Sequence, residues 1–196
     1  SYWSGKSDEN ALQTTAAALR AANWARQKAL GVTVIPSNDF SLYDHVLDTS
    51  VMVGAIPSHY GWTGGTVSLA TYFAMARGSD GGTGRAVHDH AGEGHVACVA
   101  AQEMTKWFDT NYHYMVPELG RQQRFALSSL KPVDEYLEAK ALGYQTRPVL
   151  LGPVTYLGLA KSSNADFDTL TLLEGLLPVY VDMLGRLAAA GADWVQ

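Results

Sequence analysis

Cysteine is almost absent from the 196-residue sequence, which contains only Cys98. A single cysteine cannot form a disulfide within the chain, and it cannot by itself build a thiolate metal site. No apolar run approaches the roughly 18 residues that a membrane-spanning helix needs, and the first residues lack the apolar core of a signal peptide. These absences exclude a disulfide scaffold and predict a cytoplasmic protein that does not enter a membrane.

Charge is also scarce, since 17% of the residues are charged and the net charge is -5. An acidic surplus argues against non-specific binding to nucleic acid or to anionic membranes. Hydrophobic residues make up 47% of the chain, which is typical of a globular core, and the length favours a single domain over residues 1–196. The sequence has no initiator methionine and residues 192–196 resemble the opening of a strand, so we expect a fragment of a longer chain.

Helical and strand patterns alternate along the chain. Short apolar runs predict buried strands near Val32, Tyr112, Pro148 and Trp194. Helical spacing predicts helices between and around them, over residues 7–30, 42–53, 69–76, 96–106, 132–142 and 169–190. The last helix contains Pro178, which should kink it or break it in two. The alternation indicates an α/β fold of parallel strands with crossover helices, and spacing alone fits either part of a (β/α)8 barrel or an open doubly wound sheet.

Residues 103–118 combine aromatic and charged side chains more densely than any other stretch. The segment reads as the end of a helix, a loop, and then a short buried strand that ends at Pro117. Either the cluster is hydrogen-bonded scaffolding at the end of a barrel, or it is the rim of a binding site in which Lys106 attracts an anionic ligand. The residues alone leave both interpretations open.

Other polar groups carry weaker signals. Asn38 and Asp39 follow the first predicted strand, where a parallel sheet can place a site, although turn and helix-capping chemistry explains them as well. His45 receives no role. The spacing of the basic residues after the motif predicts a solvated face for Arg121, Arg124 and Lys131.

The segment 78–95 is rich in glycine and predicts a surface loop. It contains His88, His90 and His95, but these lie on no rigid helix and have no cysteine beside them. We therefore predict no metal site there, and three histidines so close leave a metal protein as an alternative to be tested.

Four segments of the chain resemble the N-terminal barrel of the cobalamin-independent methionine synthases. They are residues 35–48, 72–78, 103–118 (which includes Met-Thr-Lys-Trp-Phe) and 147–157, and they follow in the family's order from one end of the chain to the other. The resemblance implies a partial (β/α)8 barrel, also called a TIM barrel. It implies an enzyme that transfers a methyl group from 5-methyltetrahydrofolate with a polyglutamate tail to homocysteine, giving methionine.

The resemblance also implies which functions belong to this segment and which belong to the rest of the enzyme. The family's zinc, which activates homocysteine, is held by ligands in a C-terminal barrel outside this chain, so we expect no catalytic residue, no bound metal and no activity from this segment alone. Lys106 matches the family's lysine that binds the glutamate tail, while a second basic Arg-Glu-Leu-Lys segment would precede Ser1. The partners implied are the folate, homocysteine and the C-terminal barrel. The alternative is a non-catalytic folate-binding or oligomerisation module.

Overall fold

The computed structural model describes residues 2, 5–79, 99–163 and 167–196. The helices in these ranges are α1 (Glu9–Ala29), α2 (His45–Met52), α3 (Leu69–Arg77), α4 (Lys131–Ala141), α5 (Pro153–Leu159) and α6 (Leu173–Ala190), with 3-10 turns at Ser58–Tyr60 and Thr169–Leu172. The strands are β1 (Ile35–Ser37), β2 (Met104–Lys106), β3 (His113–Met115), β4 (Glu118–Leu119), β5 (Thr146–Pro148) and β6 (Lys161–Ser162). No described helix has the length and the apolar character needed to cross a membrane.

Parallel pairing of β1 with β5 forms the centre of the fold. Ile35 lies opposite Thr146 and Ser37 lies opposite Pro148, and α4 connects to β5 along the chain. On the other side of β5, the Gln196 amide donates to the Pro148 carbonyl at 2.9 Å and the Gln196 carbonyl accepts from the Leu150 amide at 2.8 Å. The chain therefore runs as three parallel segments, which confirms the predicted α/β class. The partial (β/α)8 barrel stays a prediction.

The first strand lies three residues later than predicted and includes Pro36. The Ile35 amide and the Ser37 carbonyl both bond toward β5, so the missing amide of Pro36 points away from that pairing. A proline is tolerated in a strand where its nitrogen faces no ladder partner. Val32 is instead 37% exposed, because the chain before Ile35 has not yet joined the sheet.

The strand near Tyr112 is not part of the parallel set. It is β3, which pairs antiparallel with β2, with Met104 opposite Met115 and Lys106 opposite His113. The predicted helix over residues 96–106 is wrong wherever the structure describes it, since Met104–Lys106 is a strand. Short segments satisfy helical and strand spacing equally, and the pairing with β3 decides for the strand.

The described residues within 38–130 form a long excursion between β1 and α4. They contain α2, α3 and the β2–β3 hairpin, and they return through residues 126–128, where Ala126 and Ser128 donate backbone hydrogen bonds to Val53 and Met52. The main hydrophobic core joins this excursion to the helices of the α/β unit, with Val46, Tyr114, Tyr156 and Met183 among its buried members. The excursion is thus packed onto the sheet region.

Gly54 permits the close contact between α2 and the returning chain. Its φ is +68°, and a Cβ there would lie 2.8 Å from Ser128 Oγ and 3.0 Å from the Ala126 carbonyl. We expect Gly54→Ala to lower the free energy of unfolding by about 3 kcal/mol, from a strained φ and a steric clash together. Gly61→Ala is the matched control, since Gly61 has φ +72° with open space around it and should cost about 1 kcal/mol. Urea denaturation measures both, and equal losses would contradict the steric argument.

α6 runs without a break from Leu173 to Ala190 and ends at Gly191, which has a left-handed conformation. Of the two predicted effects of Pro178, a kink or a break, the break is wrong, and the kink stays a prediction. The carbonyl that loses its partner is that of Glu174 on the exposed face. One buried stripe holds the helix together on both sides of the proline, formed by Leu176, Val179, Tyr180, Met183 and Leu187. The predicted loop over 78–95 lies outside the described residues beyond Ser79.

Candidate functional site

A cavity of about 560 Å³ lies at the carboxyl ends of β1 and β5, beneath the excursion. Such ends are where parallel α/β proteins bind ligands. One wall is apolar and the other is polar. The apolar wall includes Met52, Pro132, Val149, Leu150 and Leu151, and the polar wall includes Asn38, Asp39, Asp44, His45, Asp48, Tyr112 and Lys131.

Asn38 and Asp39 lie where the sequence predicted them, at the exit of β1. Asn38 adopts a left-handed conformation (φ 57°), and its Nδ2 donates to the Val149 carbonyl at 2.7 Å. This contact joins the exits of β1 and β5. Asp39 lines the cavity, and burial raises the pKa of its carboxyl group, opposed by a backbone hydrogen bond and the charges of Lys131 and Arg147. Turn chemistry therefore explains Asn38, and Asp39 faces the cavity.

Lys131 is the centre of the cavity's charge network, which the sequence interpretation missed. Its Nζ donates to Asn38 Oδ1 at 2.9 Å and to the Phe40 carbonyl at 2.7 Å. It also pairs with Asp48 at 3.3 Å and with Glu135 at 3.1 Å. The predicted solvated face is wrong for Lys131, whose side chain is only 26% exposed. The signal that could have found it is the Lys131-Glu135 spacing of four residues on one helix.

Glu135 is a buried partner of this network, at 4% exposure. Burial raises the pKa of its carboxyl group, while the positive charges of Lys131 and Arg20 oppose the rise. Arg20 on α1 approaches Glu135 to 3.7 Å and bonds Glu138 at 2.7 Å. The ion pairs therefore connect α1, α2 and α4 behind the cavity.

Asp44 and Tyr112 join the excursion's hairpin to α2. Asp44 caps α2 through the Leu47 amide, and its carboxylate also accepts the Met115 amide and the Tyr112 hydroxyl. Tyr112 Oη lies 2.9 Å from His45 Nδ1. Burial and the Asp44 hydrogen bond raise the pKa of the Tyr112 hydroxyl. The sequence interpretation assigned His45 no role, and the structure places it at this contact.

Lys106 does not line the cavity. It is the last residue of β2, it is exposed, and it lies opposite His113. Neighbouring residues of a strand face opposite sides, so Lys106 and His113 share one face of the hairpin while Thr105 and Tyr114 share the other. In the described part of the chain, no ion pair to Lys106 is formed.

Trp107, Tyr112 and Tyr114 of the hairpin lie on the face opposite Lys106, where Tyr112 lines the cavity, while Phe108 is 68% exposed. The Trp107 ring lies 5.0 Å from His45 and 5.9 Å from Tyr114 between centroids. Asn111 and His113 contact each other at the exposed end, where His113 Nδ1 lies 3.0 Å from the Asn111 carbonyl. Residues 103–118 therefore present an aromatic face toward the cavity and an exposed basic residue on the opposite face.

Metal-ligating side chains do not cluster in the ranges that the structure describes, where no three His, Cys, Asp or Glu residues could hold an ion together. His88, His90 and His95 lie outside these ranges. The described residues thus do not fit a zinc site.

Comparison with known proteins gives matches over the whole chain. The family model for the cobalamin-independent synthase, N-terminal domain, matches residues 1–196. A protein of Nitrobacter winogradskyi is 73% identical over 198 residues, covering 100% of this chain and 26% of its own length. Relatives from Rhodopseudomonas palustris strain TIE-1 (69% identical) and Caulobacter vibrioides (66% identical) are each covered over 25% of their length and all of this chain.

All three relatives carry the name 5-methyltetrahydropteroyltriglutamate--homocysteine methyltransferase. The chain spans about a quarter of their length. The match over residues 1–196, with these identities, establishes that the chain belongs to the cobalamin-independent synthase family, in the part that corresponds to its N-terminal domain.

Proposed function

We propose that this chain is the N-terminal part of an enzyme that transfers a methyl group from 5-methyltetrahydrofolate with a polyglutamate tail to homocysteine. The full match to the family's N-terminal domain carries the proposal, and the names of the relatives supply the reaction. Within that enzyme, the segment contributes scaffold and binding of the folate tail. The cytoplasmic location stays a prediction.

We propose further that residues 1–196 are a single domain and part of a (β/α)8 barrel. The parallel pairing of β1 with β5 and of β5 with the Gln196 backbone supports this, because a barrel is built from parallel strands that lie side by side. The excursion over the carboxyl ends of the strands is consistent with it, since long loops of barrels lie at that end.

Lys106 is proposed as a ligand of the glutamate tail. Its ammonium is exposed, and the chain around it matches the family's Met-Thr-Lys-Trp-Phe motif. Carboxylates of a tail running along the outer face of the hairpin would be attracted to it. An exposed pair of this kind contributes about 0.2 to 1 kcal/mol and is weakened by salt.

The chemistry of methyl transfer is proposed to lie outside this chain. Zinc, when bound, lowers the pKa of a coordinating thiol so that it reacts as a thiolate. The described residues provide no ligand set for it, so we assign its ligands, and the site of homocysteine, to the remaining three quarters of the enzyme. The role of this chain's residues is to bind and orient the folate.

We expect Lys106→Ala in the intact enzyme to raise the KM for the triglutamate substrate about two- to fivefold at low salt, with kcat little changed. The physical reason is the loss of a cation that contacts the tail and not the reacting atoms. Initial-rate kinetics at two salt concentrations measure the effect, which should shrink as salt rises.

Lys28→Ala is the matched control, because Lys28 is an exposed lysine on α1, away from the motif. An unchanged KM for Lys106→Ala, or an equal rise for Lys28→Ala, would refute the tail-binding role. Calorimetry of the 196-residue chain with a triglutamyl folate tests the alternative of an independent folate-binding module, which requires tight binding without the rest of the enzyme.

A further inference from the structure

One carboxylate attaches the hairpin that carries Lys106 to the body of the protein. Asp44 is 3% exposed, and its Oδ2 accepts the Leu47 amide at 2.9 Å and the Met115 amide at 3.1 Å. Its Oδ1 accepts the hydroxyl proton of Tyr112. We call this set of contacts the Asp44 anchor. It connects the start of α2, the strand β3 and the end of the hairpin loop at a single side chain.

Helix capping alone does not require an aspartate at this position. Asparagine and serine cap helices about as well as aspartate. An asparagine has only one side-chain oxygen, which could serve the two backbone amides, and its NH2 group would then face Tyr112 as a donor to the hydroxyl oxygen and could not accept the hydroxyl proton. A carboxylate serves all three donors. The distinctive part of the Asp44 anchor is therefore the contact with Tyr112.

The position of Tyr112 in the hairpin makes this contact relevant to Lys106. The Trp107 amide donates to the Tyr112 carbonyl at 2.7 Å, directly after the Lys106–His113 pair. The Tyr112 hydroxyl gives its one proton to Asp44, so His45 Nδ1 carries a proton and donates to Tyr112 Oη at 2.9 Å. Tyr112, which directly precedes the partner of Lys106, is thus held from its backbone and from its side chain.

The other attachments of the hairpin lie on the opposite side of the Lys106–His113 pair, toward the open end of the hairpin. The Val116 amide donates to the Glu103 carbonyl at the open end, and Tyr114 donates to the Leu159 carbonyl at 3.0 Å. Glu103 also forms an exposed ion pair with Lys161. At the loop end, the Asp44 anchor and the packing of Trp107 on His45 hold the chain. Loosening the anchor should therefore move Lys106 more than it moves the core.

We propose that Asp44 and Tyr112 position Lys106 for the folate tail, so that the enzyme's preference for a polyglutamate tail depends on the Asp44 anchor. This inference rests on the proposed function of Lys106. Both residues are positioning residues with respect to the tail, because they act on Lys106 through the hairpin. The readout that separates this role from a general loss of structure is the dependence of binding on tail length.

The test measures dissociation constants of the intact enzyme for methyltetrahydropteroyl ligands with one and with three glutamates. The one-glutamate constant divided by the three-glutamate constant reports the contribution of the tail. A lower ratio means that the tail contributes less to binding. Tyr112→Phe should lower this ratio by about twofold or more, up to the fall caused by Lys106→Ala, and Asp44→Asn should lower it by no more than Tyr112→Phe does. Lys106→Ala combined with Tyr112→Phe should match Lys106→Ala alone, since both changes act on one interaction.

Tyr136→Phe is the matched control. Like Tyr112→Phe, this substitution removes a single hydroxyl group that donates a hydrogen bond, in this case to the Gly191 carbonyl at 2.6 Å. Tyr136 lies on α4, away from the hairpin. It should leave the ratio unchanged. Tyr112→Phe and Asp44→Asn keep the two backbone contacts of the Asp44 anchor available, so both variants should fold, and circular dichroism checks this.

The outcomes separate the two proposals. If Lys106→Ala lowers the ratio but Tyr112→Phe does not, the positioning role is wrong and the role of Lys106 stands. If Tyr112→Phe weakens both ligands equally, the Asp44 anchor is only structural and the inference is overturned. If Lys106→Ala leaves the ratio unchanged, the tail-binding function itself fails.

Discussion

Replacing Trp24 by alanine is expected to lower the free energy of unfolding by about 3 to 5 kcal/mol. Trp24 is 2% exposed and packs with Ile35, Ala139 and Tyr144 between α1, β1 and α4. Its Nε1 also donates to the Pro36 carbonyl at 3.1 Å. The alanine variant would leave a large cavity and an unpartnered carbonyl beside the central strand. Urea denaturation followed by circular dichroism measures the loss.

Trp24→Phe is the control for this prediction. Phenylalanine keeps much of the buried ring but cannot donate to Pro36, so it should cost about 1 to 2 kcal/mol. A loss below 1 kcal/mol for the alanine variant would mean that α1 is not held to the sheet through Trp24. Similar losses for the two variants would mean that the hydrogen bond, and not the packing, dominates.

Replacing Lys131 by methionine is expected to cost about 2 to 3 kcal/mol at neutral pH. Removing one partner of a buried ion pair costs about 3 to 5 kcal/mol, and the 26% exposure of the Lys131 side chain reduces that figure. Methionine retains most of the length of the side chain, so the loss reports the charge. Glu135 at 4% exposure would be left with only Arg20, at 3.7 Å, as a cationic partner.

The Lys131→Met deficit should depend on pH with a defined sign. The pKa of Glu135 is already raised in the folded protein by burial, and loss of the lysine charge would raise it further. A raised folded-state pKa means that the folded state takes up the proton first as pH falls. The deficit should therefore be full above the folded pKa of Glu135 and should shrink as pH falls through it toward the ordinary value of 4.5.

Thermal unfolding between pH 8 and pH 5 measures this dependence, with Lys28→Met as the control at an exposed position of α1. The control should change little at any pH in that range. A Lys131→Met deficit that grows as pH falls would contradict the assignment of Glu135 as the group left unpaired.

The cavity and Lys106 have separate positions, and this bears on the function of the segment. Three aspartates line the carboxyl-end cavity, and the one lysine in its described lining, Lys131, already forms ion pairs. The cavity therefore does not suit the proposed polyanionic tail. The outer face of the hairpin, where Lys106 is exposed, suits it better. The same sixteen residues, 103–118, therefore serve the core with one face and are available to a ligand with the other.

Local chemistry in the sequence determined several elements closely. The helix predicted over residues 132–142 is confirmed as α4 (Lys131–Ala141), with Pro132 in its first turn and Gly143 after it in a left-handed conformation. The predicted end of the last helix at residue 190 is confirmed too, and Gly191 follows it in a left-handed conformation. These features depend on residues within one or two turns of each other, so they can be read without knowing what packs against them. The family motifs around Asn38 and Lys106 could be located in the same way.

Contacts between distant residues were decided only by the tertiary structure. Residues 104–106 form a strand because residues 113–115 lie beside them, and nothing within the segment itself excludes a helix. Lys131 is partly buried because its ammonium group contacts Asn38 and Asp48, which lie more than 80 residues away in sequence. Asp44 could be read as a helix cap, but its attachment to Tyr112 and Met115 depends on a hairpin about 70 residues later. The spacing of residues along the chain does not predict such long-range contacts, because they depend on how the excursion packs over the strands.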